Sequence, residues 1–547
     1  MKIKIAKKAG FCMGVRRAVN LVLKALNEEK SNIYTYGPLI HNPQTLKLLD
    51  TFGVKVLKDL NNDLPQGVVV IRAHGVPPKD YKILSQKHKV IDGTCPRVLK
   101  VQALAKKAVS EGKEVVIIGD KDHAEVKGIL GYCEGKGYVI SSEEDLTTLP
   151  PLKEYVILSQ TTQDERLFNL LAKKIISLYP NGEIINTICN ATEVRQNEVR
   201  NLCKDCSAIV VIGGKFSANT NRLAEVAKKE NKQVFLVESP EELPWEEIKK
   251  HKIIGITAGA STPNWLINEV VDYIKAKTSF FYNLLKILCF TSTTLSLTFL
   301  TVFLGILAAI KHPFNLQFLY LALFVWSFTT LRYLLNQRLL KDTFRFFLPI
   351  KHKFLSQHEK GLLGFMVLAG ILALVAGILY KSRILSLAIV LLLIDLLTYR
   401  TSLTFLWEAL FLSSLTLYLY PFWSLNFGLI FLQGLLVIFY LKLYLEIVYF
   451  QTDGFLPKNF FLSTLSYEPK KIFKVLNLIV LVGVLLTFFS AFLDLKFGLF
   501  FIVWGVAYFL SLVVKKRPLG QVVYLEILVT LVSLIFLVCG FLIRGLG

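Results

Sequence analysis

Three cysteines set the chemical question. Cys12 in G-F-C-M-G-V, Cys95 in D-G-T-C-P and Cys189 in I-C-N-A-T stand 83 and 94 residues apart, each where a short apolar run gives way to helical spacing. A helix N-terminus lowers a thiol's pKa and favours thiolate, the form that binds metal. Gly10 and Gly14 flank the first thiol and allow backbone to come close to a ligand there. Iron–sulfur clusters ordinarily take four cysteines, so three converging thiolates would hold one while leaving one iron without a protein ligand. An open coordination position is what a catalytic metal needs. The pair Cys203 and Cys206 has C-x-x-C spacing but closes a helical pattern with no second such pair, and is expected to be structural.

The elements that must position these thiols repeat along residues 1–277. Strand patterns at Val68–Arg72, Val115–Ile118, Tyr155–Ser159, Ala208–Ile212, Gln233–Val237 and Ile253–Thr257 alternate with helical patterns such as Arg97–Glu111, Glu165–Tyr179, Thr192–Lys204 and Asn219–Asn231. Such βαβ alternation predicts parallel sheets covered by helices, with ligands gathered beyond the carboxyl ends of the strands. The residues just after the strands form a consistent polar set: His74, Cys95, His123 with Glu125, Thr161 with Thr162, Cys189, Ser217 with Asn219, and Ser261. His41 lies in a further Gly/Pro-rich loop. A serine or threonine in this place is ordinarily a helix cap, so Ser217, Ser261 and Thr161 have a structural alternative.

These motifs together resemble the IspH/LytB family of 4-hydroxy-3-methylbut-2-enyl diphosphate reductases. G-F-C-M-G-V, I-H-N-P, A-H-G-V, D-G-T-C-P, D-H-A-E-V, Q-T-T, I-C-N-A-T, S-A-N-T-N-R-L and A-G-A-S-T-P occur in the family's order. The resemblance implies three α/β lobes around a central [4Fe–4S] cluster ligated by Cys12, Cys95 and Cys189, with the fourth iron taking the substrate's C4 hydroxyl oxygen. It implies diphosphate binding by His41, His74, Ser217, Asn219 and Ser261, with His123 in the diphosphate or proton network. Glu125 would be the proton source, relayed through Thr161 to the departing hydroxyl, or through Thr162 if the register differs by one. A carboxyl group ordinarily titrates near 4.3, so this role calls for a raised pKa. Electrons would come from ferredoxin, flavodoxin or another low-potential donor. One position departs from the family, where two serines often precede the asparagine: here the second is Ala218. The rival reading, a membrane-tethered iron–sulfur electron-transfer or redox-sensing protein, leaves the histidines, Glu125, Asn219 and Ser261 without a role. A nicotinamide dehydrogenase lacks its G-x-G-x-x-G after a strand.

From Thr278 onward the chain becomes long apolar runs broken by short basic loops, and an all-α polytopic membrane domain of about nine helices is expected over residues 278–547. The runs are Leu284–Ile310, Leu316–Leu335, Leu362–Leu379, Ile384–Leu403, Phe405–Tyr420, Phe427–Tyr444, Val475–Phe492, Phe497–Val514 and Val522–Ile543. With the amino terminus and the reductase-like half in the cytoplasm, fourteen basic residues fall in inside loops against five outside, as the positive-inside rule requires. A basic cytoplasmic membrane face therefore accounts for much of the net charge of +22, and no nucleic-acid partner is inferred. Met1–Lys8 lacks the apolar run of a cleavable signal. Eight cysteines in such a setting argue against a disulfide framework. Two long inside loops give this half a weak resemblance to the UbiA prenyltransferase family. Asn336 and Asp342 in one loop, and Glu446, Tyr449 and Asp453 at the other, make a thin set of magnesium ligands, so an anchor or degenerate prenyltransferase-like module is expected. Asp395 falls inside an apolar run, where a carboxylate is costly unless paired.

Overall fold

The computed structural model describes residues 1–28, 31–60, 65–341, 349–398, 407–419, 424–450, 469–515 and 522–546. The chain forms two compact units, Met1–Val270 and Val271–Gly547.

The first unit begins with β1 (Lys2–Ile5), α1 (Met13–Glu28), β2 (Asn32–Tyr36), α2 (Pro43–Thr51), β3 (Lys55–Leu57), β4 (Gly67–Ile71), α3 (Pro78–Lys87) and β5 (Lys89–Ile91). It continues with α4 (Pro96–Ser110), β6 (Glu114–Ile118), α5 (Ala124–Leu130), β7 (Gly137–Ile140), β8 (Tyr155–Ser159), α6 (Glu165–Leu178) and β9 (Gly182–Ile184). Then follow α7 (Asn190–Asp205), β10 (Ala208–Ile212), α8 (Ala218–Lys229), β11 (Gln233–Val237), α9 (Trp245–Ile248), β12 (Ile253–Ala258) and α10 (Asn264–Thr278), within which the division between units falls.

The twelve strands make three four-stranded sheets of orders β3-β2-β4-β5, β7-β6-β8-β9 and β11-β10-β12-β1, and every pairing is parallel. Read in this direction the three orders are one pattern: second, first, third, fourth. In the last sheet the fourth strand is supplied by the amino terminus, β1, which pairs with β12 from Lys2 opposite Ile253 to Ile5 opposite Ile256. The central strands β4, β8 and β10 are buried at every residue. Their runs G-V-V-V-I, Y-V-I-L-S and A-I-V-V-I are nearly continuous apolar stretches because helices cover both faces. Strands β2, β3 and β7 are not among those expected. They are short and carry polar or exposed residues, as in N-I-Y-T-Y, which blurs a period-two pattern.

In the second unit six helices among the described residues are long and apolar enough to cross a membrane: Leu316–Leu339, Glu359–Tyr380, Leu425–Leu445, Phe473–Leu493, Leu495–Val513 and Ile527–Gly545. A seventh span is obtained if the helices Phe280–Phe290 and Thr293–Ala309 count as one. This corrects the expectation of nine continuous spans in one place. The first run is not straight but bent by 69° at a break around Ser292, whose φ is +56°. On the expected fourth and fifth runs the described residues form helices Arg383–Thr398 and Trp407–Leu419, and the rest of both runs lies outside the described residues. Asp342 and Asp453, and the side chains of Glu446 and Tyr449, lie outside the described residues.

Polar groups in this unit are paired across helices. Asp395, fully buried, accepts two hydrogen bonds from Arg332, at 2.8 and 3.0 Å, and the guanidinium lies 4.2 Å from the centre of the Trp407 ring. Gln433 accepts from the Trp504 indole at 2.8 Å and donates to Thr487 at 2.9 Å. At Gly540 an added Cβ would lie 2.3 Å from the carbonyl oxygen of Gly305, so these glycines let two helix backbones touch.

Candidate active site

The common sheet pattern puts chemically related residues in equivalent places. Each cysteine follows a fourth strand: Cys95 after β5, Cys189 after β9 and Cys12 after β1. Each has its backbone N–H bonded to a carbonyl just beyond a third strand. Cys95 donates to Ala73 at 2.9 Å, Cys189 to Thr161 at 2.8 Å and Cys12 to Ala260 at 3.0 Å. The loops after the first strands β2, β6 and β10 carry His41, His123 and Ser217; those after the third strands β4, β8 and β12 carry His74, Thr161 and Ser261. All nine, with Glu125 and Asn219, line one cleft of about 750 Å³. Thr162 and Ala218 line it as well.

The three thiols are half-buried, whereas the other five cysteines are buried. Cys203 and Cys206 pack with Ile209 and Val211 in a hydrophobic core, a structural place. Gly14 is needed for a reason other than backbone approach to a ligand: a Cβ there would sit 2.4 Å from the Cys95 sulfur. The Val15 N–H donates to Cys12 Sγ at 3.4 Å. Burial pushes the Cys95 thiol up, outweighing the Arg97 and Val98 N–H groups, and the other two thiols add to the rise. There the desolvation of a thiolate costs more than two amide dipoles return.

A [4Fe–4S] cluster fits this donor set. Among the described residues, only His41, His74 and His123 form a group whose ligand atoms all lie within 4.8 Å of one another. The three thiols line one cleft and are half-buried, so they are open to a shared group from three sides of the fold. Three thiols would leave one iron of such a cluster without a protein ligand.

The three histidines are close together and half-buried. Burial lowers the pKa of all three: His123 to about 4, His41 lowered, and His74 well below the usual range, with the neighbouring rings and Arg72 contributing. Ring centroids are 4.5 Å apart for His41–His74, 5.3 Å for His74–His123 and 5.7 Å for His41–His123. His123 caps α5, its Nδ1 accepting the Glu125 N–H at 3.2 Å. A neutral ring that accepts at Nδ1 carries its proton at Nε2, which makes that nitrogen a donor and not a metal ligand. His41 Nε2, His74 Nδ1 and Asn219 Nδ2 are buried with no hydrogen-bond partner. Such groups are costly unless a ligand satisfies them.

The remaining polar residues divide their work differently from simple capping. Ser217 occupies the N-cap of α8 without a side-chain capping bond. Ser261 Oγ donates to the His41 carbonyl at 3.0 Å and to Ser217 Oγ at 3.4 Å. Glu125 is buried, and its carboxylate accepts from the Thr161 N–H at 2.6 Å and the Thr161 hydroxyl at 2.9 Å. Burial raises its pKa from 4.5 to about 7 against the pull of both Thr161 bonds. The Thr162 hydroxyl is held by Gln160 Nε2 at 2.9 Å. Arg195, also in the cleft and buried, was not anticipated. The signal existed in α7, where Thr192, Arg195, Gln196, Val199 and Cys203 share one buried face at helical spacing.

The family described as LytB protein matches residues 3–275. A 4-hydroxy-3-methylbut-2-enyl diphosphate reductase of Alkaliphilus oremlandii is 41% identical over 277 residues, covering 50% of this chain and 99% of that protein. The enzyme of the same name from Aquifex aeolicus is 41% identical over 278 residues, covering 50% and 96%. A solved structure of (E)-4-hydroxy-3-methyl-but-2-enyl diphosphate reductase has 41% identity, covers 50% of this chain and 99% of its own, and has a TM-score of 0.42. The chain belongs to the LytB family of 4-hydroxy-3-methylbut-2-enyl diphosphate reductases.

Proposed function

We propose that this chain reductively removes the C4 hydroxyl of 4-hydroxy-3-methylbut-2-enyl diphosphate, giving isopentenyl and dimethylallyl diphosphate in the non-mevalonate route to isoprenoids. The observation that carries the reading is the set of buried, unpartnered donors on His41, His74 and Asn219 in the same cleft as three thiols and a buried carboxyl. The donors call for an anion; the thiols call for a redox centre; the carboxyl calls for a proton acceptor. One substrate with a diphosphate at one end and a hydroxyl at the other meets all three.

The diphosphate is held by His41, His74, the Nε2–H of His123, Ser217, Asn219 and Ser261, with the N-terminus of α8 adding its unpaired N–H groups. This fixes the hydroxyl end toward Cys12, Cys95 and Cys189. When bound there, a [4Fe–4S] cluster supplies electrons one at a time and an iron of Lewis-acid character. Glu125, whose pKa burial raises from 4.5 to about 7, gives its proton through the Thr161 hydroxyl to the leaving oxygen. The C4–O bond breaks and water departs; two electrons and a second proton enter the carbon skeleton. Proton delivery to either end of its three-carbon unit yields one product or the other. Ala218 offers only its backbone N–H where a second hydroxyl is common.

Electrons come from a ferredoxin, a flavodoxin or another low-potential carrier. The helical unit serves as a multi-pass anchor that holds the reductase unit on the cytoplasmic side, near the membranes where prenyl chains are used. The test is anaerobic purification of the full chain in detergent, with iron and sulfide analysis, electron paramagnetic resonance and turnover using a low-potential reductant. Both C5 diphosphates are expected as products; a cluster without turnover leaves an electron carrier, and no cluster removes the reading.

A further inference from the structure

Arg195 stands on α7 six residues beyond Cys189 and is 6% exposed. Its Nη2 donates to the carbonyl of Gly10 at 2.8 Å, and its Nη1 to that of Ala191 at 3.1 Å. Gly10 precedes Cys12 by two residues, and Ala191 follows Cys189 by two. Gly10 is itself pinned, with φ +97° and no room for a Cβ against Asn264 Oδ1. The Nε–H of Arg195 is buried without a partner. Of the charged or titratable groups that act on the guanidinium, two are the Cys12 and Cys189 thiols and the third is Glu198, whose carboxylate is engaged by the Lys8 N–H at 2.8 Å. Among the described residues no carboxylate forms an ion pair with Arg195. A guanidinium buried on two neutral carbonyls is an expensive arrangement, and negative charge arriving in the cleft would offset its cost.

We propose that Arg195 is a positioning residue for the metal centre: it ties the Cys12 turn to the first turn of α7, which follows Cys189, and holds a fixed positive charge in the cleft that the three thiols line, easing electron uptake. The inference rests on the cluster reading above. Three thiolates around an iron–sulfur core leave a net negative charge that grows with each electron, and net charge and hydrogen bonding near the sulfurs set the potential. A cation in that position stabilises the reduced state more than the oxidised one. Guanidinium, with its planar fork, reaches the Gly10 carbonyl while also holding the Ala191 carbonyl of its own helix.

The test compares the full-length, cluster-loaded wild type with Arg195→Gln and Arg195→Lys by redox titration under electron paramagnetic resonance, with iron release to a chelator as a second readout. Arg195→Gln is expected to titrate at a more negative potential than wild type. Arg195→Lys is expected to keep a potential close to wild type but to release iron several-fold faster, since an ammonium lacks the fork that holds the Gly10 and Ala191 carbonyls together. Wild-type potentials in both variants, or equal shifts in both, would overturn the charge role. Failure of Arg195→Gln to fold would make the side chain a strut and would also overturn it. A wild type that holds no cluster sinks the reductase reading, and this inference with it; a loaded wild type with unmoved variants sinks this inference alone.

Discussion

Glu125 and Thr161 are joined twice: one carboxylate oxygen takes the threonine N–H at 2.6 Å and the other takes its hydroxyl at 2.9 Å. The two bonds fix the carboxyl plane and put the hydroxyl on the cleft side as a relay. Replacing Glu125 by Gln keeps the shape and removes the titrating proton. The Glu125→Gln enzyme is expected to retain its iron and sulfide yet lose at least about a hundredfold in kcat, the usual weight of a positioned acid. Full activity would rule the proton role out.

The same carboxyl sets a pH dependence. Its value rises from 4.5 to about 7 on folding. An ordinary glutamate would be protonated in only roughly 0.3% of molecules at neutral pH, so burial creates the acid. The proton-donating form is lost as pH rises through about 7, and kcat is expected to fall along that limb. The sign for stability is the same. Protonation favours the fold below about 4.5, and that contribution is lost as pH rises through about 7. Melting temperatures of wild type and Glu125→Gln are therefore expected to diverge in favour of the variant as pH rises from about 4.5 to about 7, and to stay apart above that.

Gly14 faces the Cys95 sulfur, and a methyl group there would lie 2.4 Å from it. Alanine raises helix propensity by about 1 kcal/mol, so Gly14→Ala is expected to fold. It is expected to lose most of its bound iron as the thiol is pushed aside. Iron content equal to wild type would mean that Cys95 does not ligate in this rotamer.

The unpartnered donors predict a binding effect more than a rate effect. Asn219→Asp sets a carboxylate where Asn219 Nδ2 lies buried and unpaired. A hydrogen bond to a charged group contributes about 1.5–3 kcal/mol, so KM is expected to rise at least tenfold. His74→Phe, which keeps the ring and loses the donor, should move KM in the same direction. A change confined to kcat would place these residues outside the diphosphate site.

In the helical unit, Asp395→Leu leaves the Arg332 guanidinium without its carboxylate in a fully buried place. Breaking such a pair from one side costs about 3–5 kcal/mol. The single variant is expected to melt markedly lower in detergent, and Arg332→Met with Asp395→Leu to recover much of the loss. Non-recovery would assign the pair a role beyond stability.

Much of this protein is legible along the chain because strands, turns and helices are local. The runs at Tyr155–Ser159 and Ala208–Ile212 appear in the structure at the residues where period and turn chemistry put them. The polar residues that follow the strands are legible for the same reason, since parallel topology leaves them at one end of each sheet. Apolar runs likewise mark the helices beyond Thr278, but not their bends. Local pattern carries no information on the left-handed Ser292.

What only tertiary structure decided are relations between distant residues. That β1 completes the third sheet, so that Cys12 matches Cys95 and Cys189, depends on pairing across 251 positions, from Lys2 to Ile253. The pairing of Thr161, not Thr162, with Glu125, the space Gly14 leaves for Cys95, and the union of Arg332 with Asp395 are of the same kind. The rise of the Glu125 pKa and the rise at Cys95 come from burial, a property of all the atoms packed around a group. Spacing along a chain names the groups; the dielectric and the partners around them exist only once the sheets have closed.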